Sequence, residues 1–224
     1  MVSLVDYRVY DILYLLKRCF MAVWGFVREN AEVAAKAGID KKTGLPRTGL
    51  EEYLKVIFPD VTDWVHDKIF GITQSGEISR RRPDYRSEFL KLIIEFDGLQ
   101  HFTNPENVYK DAEAVKFYVN EGYNVIRLPY FIPLTNKNVK KIFGVDVEEE
   151  LFPEGVASLN VENKNTPAYF CRQGVAKMAT IYFDFPEQYE LELKSLKEEK
   201  NQFCSGWEEL VSLHDTLALN NNKQ

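Results

Sequence analysis

The chain has 224 residues, 45% of them hydrophobic, with a formal net charge of −6. That length and apolar content support one large domain or a core with appendages, and they exclude an extended disordered chain. The negative charge argues against a protein that coats nucleic acid, although a local basic patch on an acidic molecule still grips a phosphate backbone. Three cysteines far apart, Cys19, Cys171 and Cys204, form no CxxC pair and no zinc spacing, so a reducing compartment is expected, the cytoplasm (of a host cell, if the gene is viral).

Residues 3 to 37 carry apolar side chains at helical spacing, from Val5 through Ile12, Leu16 and Phe20 to Val27. Asp6, Arg8, Asp11, Lys17 and Arg18 interrupt the segment, and the apolar run from Cys19 to Val27 is too short to span a bilayer, so no membrane partner is expected. Gly38 ends the helix, and 40 to 44 is a polar loop. This N-terminal helical segment, residues 1–40, is either a separate unit or a contact for a homodimer; the sequence leaves both open.

Thr48 and Glu51 have the spacing of a capping box, opening a helix to about Phe58, where Pro59 stops it. Residues 61 to 70 read as a strand or an irregular segment. A hairpin follows, with one arm over 78 to 86, a turn at Ser87 and Glu88, and a return arm over 89 to 96. Side chains alternate along a strand, so Leu90, Leu92, Ile94 and Phe96 point one way and Lys91, Ile93, Glu95 and Asp97 the other. Ile93 on the second face predicts a strand covered on both sides, with acids at its C-terminal end. A helix is expected over 107 to 121 and a strand over 123 to 128, closed by Pro129. The order helix, hairpin, helix, strand is that of an α/β layer. Beyond 149 helices are expected over 166 to 181, 186 to 200 and 207 to 219, the second with an exposed Glu/Lys face.

The acids pose the chemical question. Asp84 stands on one arm, Glu95 and Asp97 on the other, with Gln100 and His101 just beyond. Like charges so close repel unless they are protonated, paired or bound to a cation. Oxygen ligands suit Mg²⁺ or Mn²⁺, ions that bridge to phosphate oxygens. Arg80, Arg81, Arg82 and Arg86 flank Asp84, where they would hold a phosphodiester backbone, unless they form only a solvated face. Blander readings stand beside each residue: Asp97 as a turn acid before Gly98, His101 and Gln100 as loop residues, Glu51 as the capping-box partner of Thr48, and His66 and His214 as structural or surface histidines.

Arg82-Pro83-Asp84-Tyr85, then Ile94-Glu95-Phe96-Asp97-Gly98-Leu99-Gln100-His101, then Gly122-Tyr123-Asn124-Val125-Ile126-Arg127, with Glu51-Glu52-Tyr53-Leu54 ahead of them, resemble the PD-(D/E)xK nuclease superfamily. The branch they resemble is that of very-short-patch repair and phage homing endonucleases, over residues 48 to 130. The resemblance implies an α/β restriction-endonuclease-like core over 43–148, a mixed central β-sheet flanked by helices, with a mostly helical C-terminal extension over 149–224. It implies Mg²⁺- or Mn²⁺-dependent hydrolysis of DNA, with Asp84, Glu95 and Asp97 as metal ligands, His101 in proton transfer and Glu51 as an accessory acid. Asp97 stands where the family has lysine, so His101, Lys110 or Lys116 would take over that role. Lys110, Lys116, Gln100 and the arginines are the expected DNA contacts. The alternatives are a DNA-binding module that kept the fold and lost the reaction, and a helical interaction protein whose acids only form ion pairs.

Overall fold

In the computed structural model, residues 50–221 are described. The helix expected over 3 to 37, the dimer contact expected of it, Cys19 and Thr48 lie outside them.

Helix α1, Leu50–Ile57, buries Leu50, Tyr53, Leu54 and Ile57, one stripe at i, i+3, i+4 and i+7. Glu51 and Glu52 in its first turn and Lys55 in its last complement the helix dipole. Strands β1 (Val65–His66), β4 (Tyr85–Ser87), β5 (Leu92–Asp97) and β6 (Asn124–Pro129) form a sheet in the order β1-β4-β5-β6. The first two pairings are antiparallel and the last is parallel. Strands β2 (Gly71–Ile72) and β3 (Ile78–Ser79) form a separate ribbon. The chain is therefore mixed α/β, with helices flanking a mixed sheet. No helix of the described residues is long and apolar enough to cross a membrane.

The long first arm expected over 78 to 86 is broken in two. Ile78 and Ser79 pair with the ribbon, and only Tyr85 to Ser87 pair with β5. Pro83 lies between them and has no backbone N–H to extend a ladder. The return arm starts at Leu92 because Glu88 to Lys91 turn the chain, with Lys91 at φ 49°.

The two faces of β5 are packed as alternation predicts. Leu92, Ile94 and Phe96 belong to the main hydrophobic cluster. Ile93 packs with Phe70, Tyr118 and Tyr123 in a second, smaller one. Glu95 and Asp97 continue the Ile93 face where its apolar neighbours run out. Helix α2, Gln100–Thr103, follows β5 at once, so His101 sits on a short helix rather than a loop. Helix α3, Pro105–Asn120, then crosses over to the parallel strand β6. It starts on Asn104, whose side chain accepts from the Glu106 N–H at 2.9 Å, with Pro105 in the first turn.

After β6 come α4 (Asn136–Phe143), a 3₁₀ turn at Pro167–Tyr169, α5 (Arg172–Asp184), α6 (Pro186–Glu198) and α7 (Trp207–Asn221). The helix expected from Thr166 is thus a 3₁₀ turn and a separate helix that Cys171 caps. The main cluster runs unbroken from Leu50 and Ile94 to Met178, Tyr182, Leu196 and Leu210. The segment beyond 149 shares this core. Helix α6 is not wholly a solvated face either. Buried Glu192 accepts N–H bonds from Ser158 at 2.6 Å and Leu159 at 3.0 Å, tying the preceding strap to the helix.

Helix α5 meets α2 backbone to backbone. The Cys171 N–H donates to the Phe102 carbonyl at 3.1 Å, and its thiol donates to the same oxygen at 3.2 Å. A Cβ on Gly174 would lie 1.8 Å from that oxygen. Gly174→Ala must therefore push the helices apart, and urea denaturation should show a loss of at least about 2 kcal/mol. Unchanged stability would show that the two helices do not dock this closely.

Candidate functional site

Strand register fixes the acids. Glu95 is paired with Arg127 across β5 and β6, so the two side chains share a face. Tyr85 opposes Ile94, which sets Asp84 opposite Glu95 just before the β4 ladder begins. The Asp84 carboxylate accepts the Phe96 N–H at 2.7 Å, and the Asp84 N–H donates to Glu95 at 3.4 Å. Tyr118 from α3 hydrogen-bonds to Glu95.

Neither Asp84 nor Glu95 closes an ion pair among the described residues. Burial pushes the Asp84 carboxyl up, opposed by the Phe96 amide and by His101, His66 and Arg127. Burial, then the charge of Asp84, pushes Glu95 up to about 7. Both shifts mark a place where negative charge is disfavoured.

Two further acids lie beside this pair, and these are paired. Asp97 is 1% exposed at its side chain and Asp111, from α3, is 11% exposed. Arg127 forks onto Asp97 through Nε at 3.0 Å and through Nη2, and the same Nη2 lies 2.9 Å from Asp111. Lys177 of α5 closes the other side, 2.8 Å from Asp97 and 2.7 Å from Asp111. His101 Nδ1 lies 2.9 and 3.0 Å from the two oxygens of Asp111, and 3.8 Å from Asp97. Asp111 is held below the usual carboxylate range by His101, Lys177 and Arg127 despite its burial.

Asp97, His101 and Asp111 offer ligand atoms within 4.8 Å of one another, which is metal spacing. The charge balance argues against that use. Two carboxylates already share two cations, and a divalent ion would have to enter within about 3 Å of both at a cost of several kcal/mol. Asp97 is thus placed as a partner of Arg127 and Lys177, not beside Asp84 as a third free ligand.

Glu51 reaches the site through His66. Their side chains are 3.9 Å apart, and the His66 ring stacks on Tyr85 with centroids 4.7 Å apart. The Asp67 N–H donates to the Asp84 carbonyl. His66, read from the sequence as structural or surface, therefore belongs to the surroundings of Asp84. His214 does not; it stacks on Tyr189 at 4.1 Å.

The expected DNA contacts scatter. Arg86 turns inward, donating to the Phe70 carbonyl at 2.8 Å over the Phe70 ring. Arg82 pairs with Asp67 at 2.9 Å. Arg81 lies over the Phe117 ring, and Arg80 is exposed. Gln100 is exposed, and its carbonyl accepts from Asn107. Lys110 pairs with Glu106 and Lys116 with Glu113, each one turn away on the outer face of α3. Neither reaches back to the acids; the lysine that does is Lys177. Asp111, Lys177 and Tyr118 were not singled out by sequence. No sequence signal marks Asp111, whose burial only the fold reveals, or Lys177, which lies 66 residues further on.

No family model matches the chain, and no solved structure matches it. It is 34% identical over 110 residues to an uncharacterized protein of Haemophilus influenzae, an alignment covering 44% of this chain and 68% of that protein. The chain belongs to the same family as that protein. The relative's description names no activity, so the reading of function rests on the site.

The raised carboxyls carry a consequence for stability. The folded protein keeps on Glu95 a proton that the unfolded chain releases near pH 4.5. Stability therefore falls as pH rises from about 4.5 through about 7, and Asp84 acts in the same direction. Urea denaturation at pH 5 and pH 8 should show a fall on the order of 2 kcal/mol without divalent metal. The fall should be clearly smaller in Glu95→Gln. Equal falls in both proteins would show that Glu95 is not held protonated.

Proposed function

We propose that the chain is a metal-dependent endonuclease that hydrolyses DNA phosphodiester bonds, on a core of restriction-endonuclease type. The observation that carries this reading is the pair Asp84 and Glu95, two facing, partly buried carboxylates with raised pKa and no ion-pair partner among the described residues. The donor set is all oxygen, which fits Mg²⁺ or Mn²⁺. Such an ion, when bound, lowers the pKa of a water and offsets charge on the phosphate.

The chain's own residues do the rest. Asp84 and Glu95 would hold the ion, with Asp84 fixed by the Phe96 amide and Glu95 by Tyr118. His101 donates through Nδ1 to Asp111, because the ionised carboxylate accepts on both oxygens. That hydrogen bond fixes the ring and leaves Nε2 as the atom able to take or give a proton, and His101 is near enough to lower the Asp84 pKa. Arg80 and Arg81, free of ion pairs among the described residues, would hold the phosphodiester backbone.

The reading is tested with supercoiled plasmid. The protein should nick or cut it with Mg²⁺ or Mn²⁺ and stop with chelator. Asp84→Asn and Glu95→Gln should each lower the rate by at least about a hundredfold while the fold persists by circular dichroism. Retardation of DNA without cutting under any of several divalent metals would leave a binding module on the same fold. Neither cutting nor binding would overturn the nucleic-acid reading altogether.

A further inference from the structure

We infer that Lys177 is a positioning residue for His101, so that helix α5 is part of the site; the catalytic meaning of this role rests on the nuclease reading above. The ammonium lies 2.8 Å from Asp97 and 2.7 Å from Asp111, and 4.8 Å from the centre of the Phe102 ring. Its side chain is 18% exposed. The approach is set by the backbone. Cys171 grips the Phe102 carbonyl, and Gly174 passes that oxygen with no room for a side chain. Lys177 follows Gly174 by one turn, and Phe102 follows His101 directly. The contact that aims the lysine also clamps the helix that carries the histidine.

The role follows from the charge balance. Asp97 and Asp111 together carry two negative charges, which Arg127 and Lys177 match. Asp111 then takes a hydrogen bond from His101 Nδ1, which leaves Nε2 unengaged by that carboxylate. Without Lys177 the two acids keep one uncompensated negative charge. Asp111, which both Lys177 and His101 Nδ1 contact, then loses one of the partners that fix its carboxylate, and the ring of His101, held through it, loses its fixed orientation. Lys177 touches neither Asp84 nor Glu95 by any ion pair among the described residues, so the binding of an ion there should not depend on it.

The test uses the full chain with Lys177→Met, Lys177→Gln and Lys177→Arg. Three readouts are taken: plasmid cleavage with Mn²⁺, Mn²⁺ affinity by electron paramagnetic resonance, and the His101 ring-nitrogen shifts by NMR at pH 7. Lys177→Met and Lys177→Gln should lower kcat by at least about thirtyfold, with KM and Mn²⁺ affinity within about twofold of wild type. Their His101 ring-nitrogen shifts should move away from the wild-type pattern, because the bond from Nδ1 to Asp111 is no longer held in one geometry. Lys177→Arg, which keeps the charge, should keep the wild-type ring shifts and much of the rate. Gln retains a polar head and Met an apolar stem of similar length, so at least one neutral variant should be folded. Unchanged ring shifts in a folded neutral variant would overturn the proposal, as would wild-type kcat. A wild-type protein that cuts nothing would end the nuclease reading, and the ring shifts would still decide the role of Lys177.

Discussion

Four carboxylates meet at one end of this sheet, and the chain supplies strong cations for two of them. Asp97 and Asp111 share Arg127 and Lys177 in a closed arrangement of alternating charge. Asp84 and Glu95 receive one backbone amide each and a tyrosine hydroxyl. Desolvated carboxylates without cations are costly, and the cost appears as raised pKa values rather than as a broken fold. The site is thus divided into a settled half and an unsettled half. The settled half holds the histidine, and the unsettled half has the charge and the oxygen atoms that a divalent ion requires.

Both halves depend on one strand. Ile93 anchors the acid face of β5 on Phe70, Tyr118 and Tyr123, and Leu92, Ile94 and Phe96 anchor the other face in the main cluster. A one-residue slip would exchange the faces and bury the acids in the apolar layer, so packing on both sides fixes the register. The parallel partner then delivers Arg127 level with Glu95. Paired buried ions rarely add net stability, and removing one partner leaves the others uncompensated. Such a network is better understood as a device that fixes geometry. Here it joins β5, β6, α2, α3 and α5 around His101.

Much of this was legible in the sequence because it is local. Alternation along 92 to 97 gives both faces of β5, and Gly122 marks the end of α3, whose start at Pro105 lies two residues before the expected one. Asp84, Glu95 and His101 stand out by their places on the two arms and just beyond, and by the resemblance to a nuclease core. The failures are non-local. The arm over 78 to 86 looked continuous, but Pro83 cannot extend a ladder and Ile78 pairs with Ile72 instead. The arginine run reads as one basic patch, yet strand alternation turns Arg86 inward onto Phe70 while Arg82 folds onto Asp67. His66 is drawn in only when β1 docks on β4, a pairing two residues long. Lys177 enters through a helix contact that depends on the absence of a side chain at Gly174, which no periodicity reveals. The resemblance to a nuclease core covers residues 48 to 130, and the cation that completes the settled half comes from beyond that stretch.

The division of the acids into two pairs is the central claim, and a crystal grown with MnCl₂ tests it directly through anomalous scattering at the manganese edge. The account predicts a single strong peak coordinated by oxygens of Asp84 and Glu95, with Lys177 and Arg127 still on Asp97 and Asp111. A peak among Asp97, His101 and Asp111 with Lys177 displaced, or no peak near either pair, would contradict it.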